Sequence, residues 1–204
     1  MRAFIIALSG IVLLLPTLSR ESLSQEVPVA DGIKNGIDVG WYESGEKEYE
    51  IPLVNYQKHG TAVWWYESGV MKLEIPYVNG EVNGLVIQWY ESGTKENEIS
   101  FVNDKMHGKT IGWYESGAKM AEVSFVNDEK QGTEVQWYES GAKKIETQYV
   151  NGYEHGIYVR WFESGAKNKE IPYVNDKKHG TAREWDEDGN LVSTTQWENG
   201  EEVK

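Results

Sequence analysis

A chain of 204 residues with no cysteine can hold neither a disulfide framework nor a thiolate metal site. Its formal charge of −13 disfavours nucleic-acid backbones and anionic lipid surfaces, which select clustered Lys and Arg. Glycine (21), tryptophan (9) and tyrosine (12) are abundant for this length, the composition of short aromatic strands joined by tight turns.

The first element is a targeting segment. Met1-Arg2 gives a positive start, Ala3 to Leu15 is apolar apart from Ser9 and Gly10, and Pro16 is followed by the small residues Thr17, Ser19, Ser22 and Ser24. That is the anatomy of a secretory signal peptide, with a helical apolar stretch too short to span a bilayer comfortably. The expected location is therefore secreted or periplasmic, with cleavage near residues 19–24 and no stable membrane insertion afterwards. Retention of the segment as an anchor is the competing reading. Residues 1–24 are assigned to the signal peptide and 25–204 to one repeat array.

The array opens with a half repeat at 26–35, where Glu26-Val27-Pro28-Val29-Ala30-Asp31-Gly32 matches Glu74-Ile75-Pro76-Tyr77-Val78-Asn79-Gly80. Full repeats start near 36, 60, 84, 108, 132, 156 and 180, a strict period of 24 residues. Each carries an aromatic-Glu-small-Gly signature: Trp41-Tyr42-Glu43-Ser44-Gly45 recurs from Trp65, Trp89, Trp113 and Trp137, becomes Trp161-Phe162-Glu163-Ser164-Gly165, and ends worn as Trp185-Asp186-Glu187-Asp188-Gly189. Unbroken periodicity describes one small unit stacked into an elongated array, not a globular enzyme around one pocket.

Within a unit, a first strand such as Thr61 to Tyr66 leads through Glu67-Ser68-Gly69 into a second from about Met71 to Val78, which ends at Asn79-Gly80. The second strand alternates: Ile51, Ile75, Ile99, Val123 and Ile171 share a face with Leu53, Tyr77, Phe101, Phe125, Tyr149, Tyr173 and Trp197, while Glu50, Glu74, Glu98, Glu122, Glu146 and Glu170 point the other way. A three-residue loop at Glu43-Ser44-Gly45, with Gly in the left-handed conformation, pairs Tyr42 with Glu46, Trp41 with Lys47, Val39 with Tyr49 and Ile37 with Ile51. That register predicts Trp41, Val39 and Ile51 on one core face and an odd number of residues in the Asn turn. Both connections are short, so successive strands are antiparallel neighbours. The fold class is all-β: an elongated single-layer antiparallel meander of about seven β-hairpins.

The aromatic-acidic-small-Gly turn, the charged second strand, the Asn-Gly turn and the closing His-Gly resemble the MORN repeat. More closely they resemble its bacterial variant, whose proteins are commonly labelled YwqK-type antitoxin-like. The last copy, Asp186-Glu187-Asp188-Gly189-Asn190 with Trp197-Glu198-Asn199-Gly200, is nearest to that form. The resemblance spans roughly residues 26–204 and implies a curved antiparallel sheet acting in protein association, in some relatives at membranes. The Trp column, the strict period and the signal peptide depart from the family pattern, and an exported chain is poorly placed to neutralise a cytoplasmic toxin.

Candidate chemistry is sparse. The Trp column reads as core. The Tyr column (Tyr42, Tyr66, Tyr90, Tyr114, Tyr138, with Phe162) points to the opposite face by parity and is the ligand-facing candidate. Specificity is expected where copies differ most: Asp38, Ala62, Val86, Thr110, Glu134, Tyr158 and Ala182, then Gly40, Trp64, Gln88, Gly112, Gln136, Arg160 and Glu184. The binding candidates are thus Tyr42, Trp64, Tyr66, Tyr90, Tyr114, Tyr138, Tyr158, Arg160 and Phe162. Successive carboxylates in a column sit roughly 10 Å apart, too far to share a cation. Asp186 to Asn190 carries part of a calcium-loop pattern without the distal Glu. His59, His107, His155 and His179 share a column with Asn83 and Gln131, an interchange that suits a turn hydrogen bond and not zinc. No catalytic residue, metal site or cofactor is expected. The expectation is a non-enzymatic scaffold for a protein or cell-envelope partner, with homodimerisation through a sheet face open to it. The alternatives are a carbohydrate module with an aromatic ladder and an antitoxin or immunity-like protein.

Overall fold

The structure is a computed structural model that describes residues 35–204. The expectations for the signal peptide, its cleavage and the half repeat fall outside these residues. Strand β1 (Asn35–Trp41) pairs with β2 (Lys47–Val54), and a two-residue β3 (Gln57–Lys58) leads into β4 (Gly60–Trp65) and β5 (Met71–Val78). The pattern continues through β6 (Glu81–Val82), β7 (Gly84–Trp89), β8 (Lys95–Val102), β9 (Lys105–Trp113), β10 (Lys119–Val126), β11 (Glu129–Trp137) and β12 (Lys143–Val150). It closes with β13 (Tyr153–Glu154), β14 (Gly156–Trp161), β15 (Lys167–Val174), β16 (Lys177–Lys178), β17 (Gly180–Trp185), β18 (Leu191–Glu198) and β19 (Glu201–Val203). All pairings are antiparallel and between chain neighbours, so the described residues form one open meander without a helix.

The first turn is the expected three-residue loop. The Tyr42 amide donates to the Glu46 carbonyl (2.9 Å), and Gly45 takes φ 88°, a conformation that a side chain would strain. Directly after it the ladder slips. Trp41 opposes Lys47 but Gly40 opposes Tyr49, leaving Glu48 as an extra residue, and the same β-bulge recurs in every hairpin. A bulge bends its strand, and one extra residue exchanges the faces of everything beyond it. Val39 therefore opposes Glu50, and Asp38 opposes Ile51. This overturns the expected core: Trp41 and Val39 lie on one face with Glu50, and Ile51 lies on the other.

The second turn also differs from expectation. Val54 pairs directly with Gln57, so Asn55-Tyr56 is a two-residue turn, with both residues at positive φ (51° and 63°). This is the mirror-image turn whose twist matches a hairpin, and Asn is among the residues that tolerate it. The register is then reset by a second irregularity at His59-Gly60, between the Leu53–Lys58 pair and the Glu50–Val63 pair. Because the reset shifts the pairing by two residues, it preserves the faces.

The core is one face of this sheet, here called inner. Ile51, Leu53, Ala62, Ile75, Tyr77, Val82, Val86, Ile99 and Phe101 form a continuous buried cluster over the first half of the array. Among the described residues no second layer lies over it. The side chains bury one another along columns whose neighbours stand about 4.8 Å apart, and each large one contributes about 1.5–3 kcal/mol. Copy-to-copy variation is absorbed here by matching sizes across a pair. Gly40 faces Tyr49 where Trp64 faces Leu73, and a Cβ on Gly40 would stand 2.0 Å from the Tyr49 ring.

Candidate functional site

The signature residues build the joints between repeats. The Tyr66 hydroxyl donates to the Trp89 carbonyl of the next repeat at 2.8 Å, and Tyr42–Trp65, Tyr90–Trp113, Tyr114–Trp137 and Tyr138–Trp161 repeat the bond at 2.7–2.9 Å. Burial, seconded by neighbouring glutamates, raises the phenol pKa values of Tyr42, Tyr66, Tyr90 and Tyr114, which keeps these donors protonated. Phe162 has no hydroxyl, and at that joint the Asn168 amide reaches the Trp185 carbonyl instead, at 3.4 Å.

A second ladder crosses the outer face. Lys47 lies 5.2 Å from the centre of the Trp65 ring in the following repeat, and Lys95–Trp113, Lys119–Trp137, Lys143–Trp161 and Lys167–Trp185 repeat this at 5.2–5.4 Å. Each of these lysines also pairs with the glutamate three residues on: Glu50, Glu98, Glu122, Glu146 and Glu170. In a regular strand residues three apart point to opposite faces, so the ion pair itself depends on the bulge. Trp41, with no preceding repeat among the described residues, is 60 % exposed.

A third ladder joins the Asn turns. The Asn79 amide donates to His59 Nδ1 (3.3 Å), Asn199 to His179 Nδ1 (3.4 Å), and Asn151 to Gln131 Oε1 (2.9 Å). Histidine and amide thus serve the same turn bond, as their interchange in the sequence suggests. In the final copy the first two ladders lose their donors, while Asn199 still serves the third. Asp186 replaces the Tyr and accepts from the Asn190 amide and side chain within its own turn (2.8 and 3.0 Å), Leu191 replaces the Lys, and Thr194 replaces the Glu.

The columns expected to carry specificity lie on the inner face. Ala62 and Val86 are buried in the core cluster, Trp64 packs against it, and Tyr158 is half-buried. Arg160 is exposed at the inner edge. The sheet thus splits the nine binding candidates between the Tyr ladder (Tyr42, Tyr66, Tyr90, Tyr114, Tyr138, Phe162) and the inner face (Trp64, Tyr158, Arg160), and forms no single pocket from them.

The fifth repeat places a charged network inside. Glu134, 1 % exposed, takes Lys130 Nζ at 2.5 Å and Gln136 Nε2 at 2.7 Å, and the Tyr149 phenol also bonds to it. Lys130 lies 4.7 Å from the centre of the Tyr149 ring. In the fourth repeat Thr110 stands where Glu134 does and Phe125 where Tyr149 does, and the buried Thr110 hydroxyl has no partner; Tyr77 Oη and Asn97 Oδ1 are likewise unpartnered. Among the described residues no group of three or more His, Asp or Glu is arranged to hold a metal, and no helix is long and apolar enough to cross a membrane.

What remains exposed and apolar is concentrated in one place. Val54, Val78, Val102, Val126, Val150 and Val174, just before the Asn turns, are each 42–45 % exposed. Ile37, Leu85 and Ile157 flank them on the outer face, with Tyr56 and Tyr153 at the turns. The other large exposed hydrophobics, Trp41, Leu191, Val192 and Val203, sit at the two ends of the array. This strip had a signal in the sequence, a Val before every Asn turn but the last, that strand alternation alone left unread.

Comparison with known families matches the MORN repeat variant at residues 58–79, 82–103, 130–151 and 178–199. The windows at the same spacing between them, 106–127 and 154–175, hold the same hairpins (β9–β10 and β14–β15). MORN repeats are commonly scaffolds for protein or membrane interactions and are generally non-catalytic. No curated protein matches the chain.

Proposed function

We propose that the chain is a non-enzymatic scaffold that engages a protein partner of the cell envelope through the apolar strip on its outer face. One observation carries this reading: away from the two ends of the array, the large exposed hydrophobics lie in or beside a single row of valines that recurs in six repeats, while the signature tyrosines and most of the tryptophans are engaged in joints. Contiguous exposed apolar surface on a soluble chain marks an association site. The matched repeat variant and the signal-like N-terminus support the role and the location. A glycan ladder gains little from the Trp column, because a lysine covers a face of most of its rings and only Trp41 stands exposed. Affinity capture from an envelope fraction tests the proposal. The wild-type chain is expected to retain a partner that the Val102→Lys/Val126→Lys variant loses, and retention of the same partners by that variant would refute it.

A further inference from the structure

The strip has a shape that one partner matches by construction. Its valines recur at every second strand, a spacing of about 10 Å, and each presents nearly the same exposed fraction. A comb of fixed period is matched along its whole length by a second comb of the same period. The charge distribution allows that approach. The chain carries −13, yet the outer face is close to balanced, because its lysines and glutamates are paired with one another. The excess negative charge lies elsewhere, above all along the opposite turn edge, where the signature glutamates from Glu43 to Glu187 are exposed and outside every ion pair among the described residues.

We infer that the strip's partner is a second copy of this chain, stacked face to face and antiparallel about a two-fold axis near the fourth repeat. The inference rests on the reading of the strip as an association surface. Such a contact is isologous, so each valine row meets the other, and both carboxylate edges stay at the rim in water. The strip runs about 50 Å with a width of three or four residues, on the order of 700 Å² per copy, against about 800 Å² per partner in a standard specific interface. Two sheets stacked in this way are the sandwich that an open single layer lacks.

Light scattering on the purified chain reads the answer directly. Wild type is expected at twice the chain mass, and Val102→Lys/Val126→Lys at the mass of one chain with its far-ultraviolet dichroism retained. Since the chain contains no cysteine, the double variant Val102→Cys/Val126→Cys, whose two positions face one another across that axis, should form interchain disulfides on mild oxidation, whereas Glu115→Cys on the opposite edge should not. These variants keep the test valid if the lysine pair fails to fold. A wild-type chain that stays monomeric across a wide range of concentration overturns the inference and leaves the wider reading to the capture experiment. Failure of the Val102→Cys/Val126→Cys variant to cross-link while the wild type is dimeric overturns it as well, by placing the contact elsewhere.

Discussion

The Tyr66 hydroxyl and the Trp89 carbonyl stand 2.8 Å apart across the boundary between two repeats, one of five such bonds at successive joints. Tyr66→Phe is expected to cost about 1 kcal/mol, leaving a half-buried carbonyl without its donor, and to lower the melting temperature by about 2–4 °C for an array of this size. Thermal or urea unfolding reads the change. Phe162→Tyr with Asn168→Ala should give the reverse, restoring the standard joint where the chain now uses the longer Asn168 bond.

The network around Glu134 should behave as a buried ion pair does. Lys130→Met alone strands a carboxylate that is 1 % exposed, and is expected to cost about 3–5 kcal/mol. Adding Glu134→Thr and Gln136→Gly copies the fourth repeat's own set of Met106, Thr110 and Gly112, and should recover most of the loss. Equal stability of the single and triple variants in urea would contradict this.

Thr110 makes the opposite case. Its hydroxyl is buried and unpartnered, and Val86 fills the equivalent place one repeat earlier. Thr110→Val should stabilise the chain by about 1 kcal/mol, since an orphaned polar group is exchanged for an apolar one of the same shape. A lower melting temperature in the variant would show that the hydroxyl has a partner in solution.

Alkaline pH should weaken the fold. Burial, reinforced by Asp104 for Tyr77 and by Glu154 and Tyr158 for Tyr173, pushes both phenols from 10.0 to about 12. The folded chain holds these protons more tightly than the unfolded chain. The stabilisation is therefore complete below pH 10 and falls as pH rises from 10 to about 12, by up to about 1.4 kcal/mol per pH unit for each group. Unfolding midpoints measured against pH should show that decline, and Tyr77→Phe should make it shallower.

The sequence carried the strands, the three-residue turn and the outward carboxylates, because period-two alternation and the Gly in each signature encode them directly. It misassigned the faces through a single residue. Glu48 and its equivalents Lys72, Glu96, Met120, Lys144, Asn168 and Val192 share no chemistry, since a bulged residue is selected only for fitting beside its neighbours, and nothing in the column announces it. Two indirect signs were present. Lys47 and Glu50 are spaced for an ion pair that an unbroken strand forbids, and Gly40 and Tyr49 vary in size as partners do. The same slip moved the variable columns from an imagined ligand face into the core, where differences between copies are differences in packing.

The final repeat offers neither the phenol nor the ammonium with which earlier repeats reach forward, and Asp186, in the phenol's place, is occupied within its own turn. Copy number is thereby protected at one end. A hairpin duplicated inside the array, between Gly84 and Asn151, would find the phenol and ammonium seams on both sides. One appended beyond Val203 would find neither, so lineages of such chains should lengthen from within.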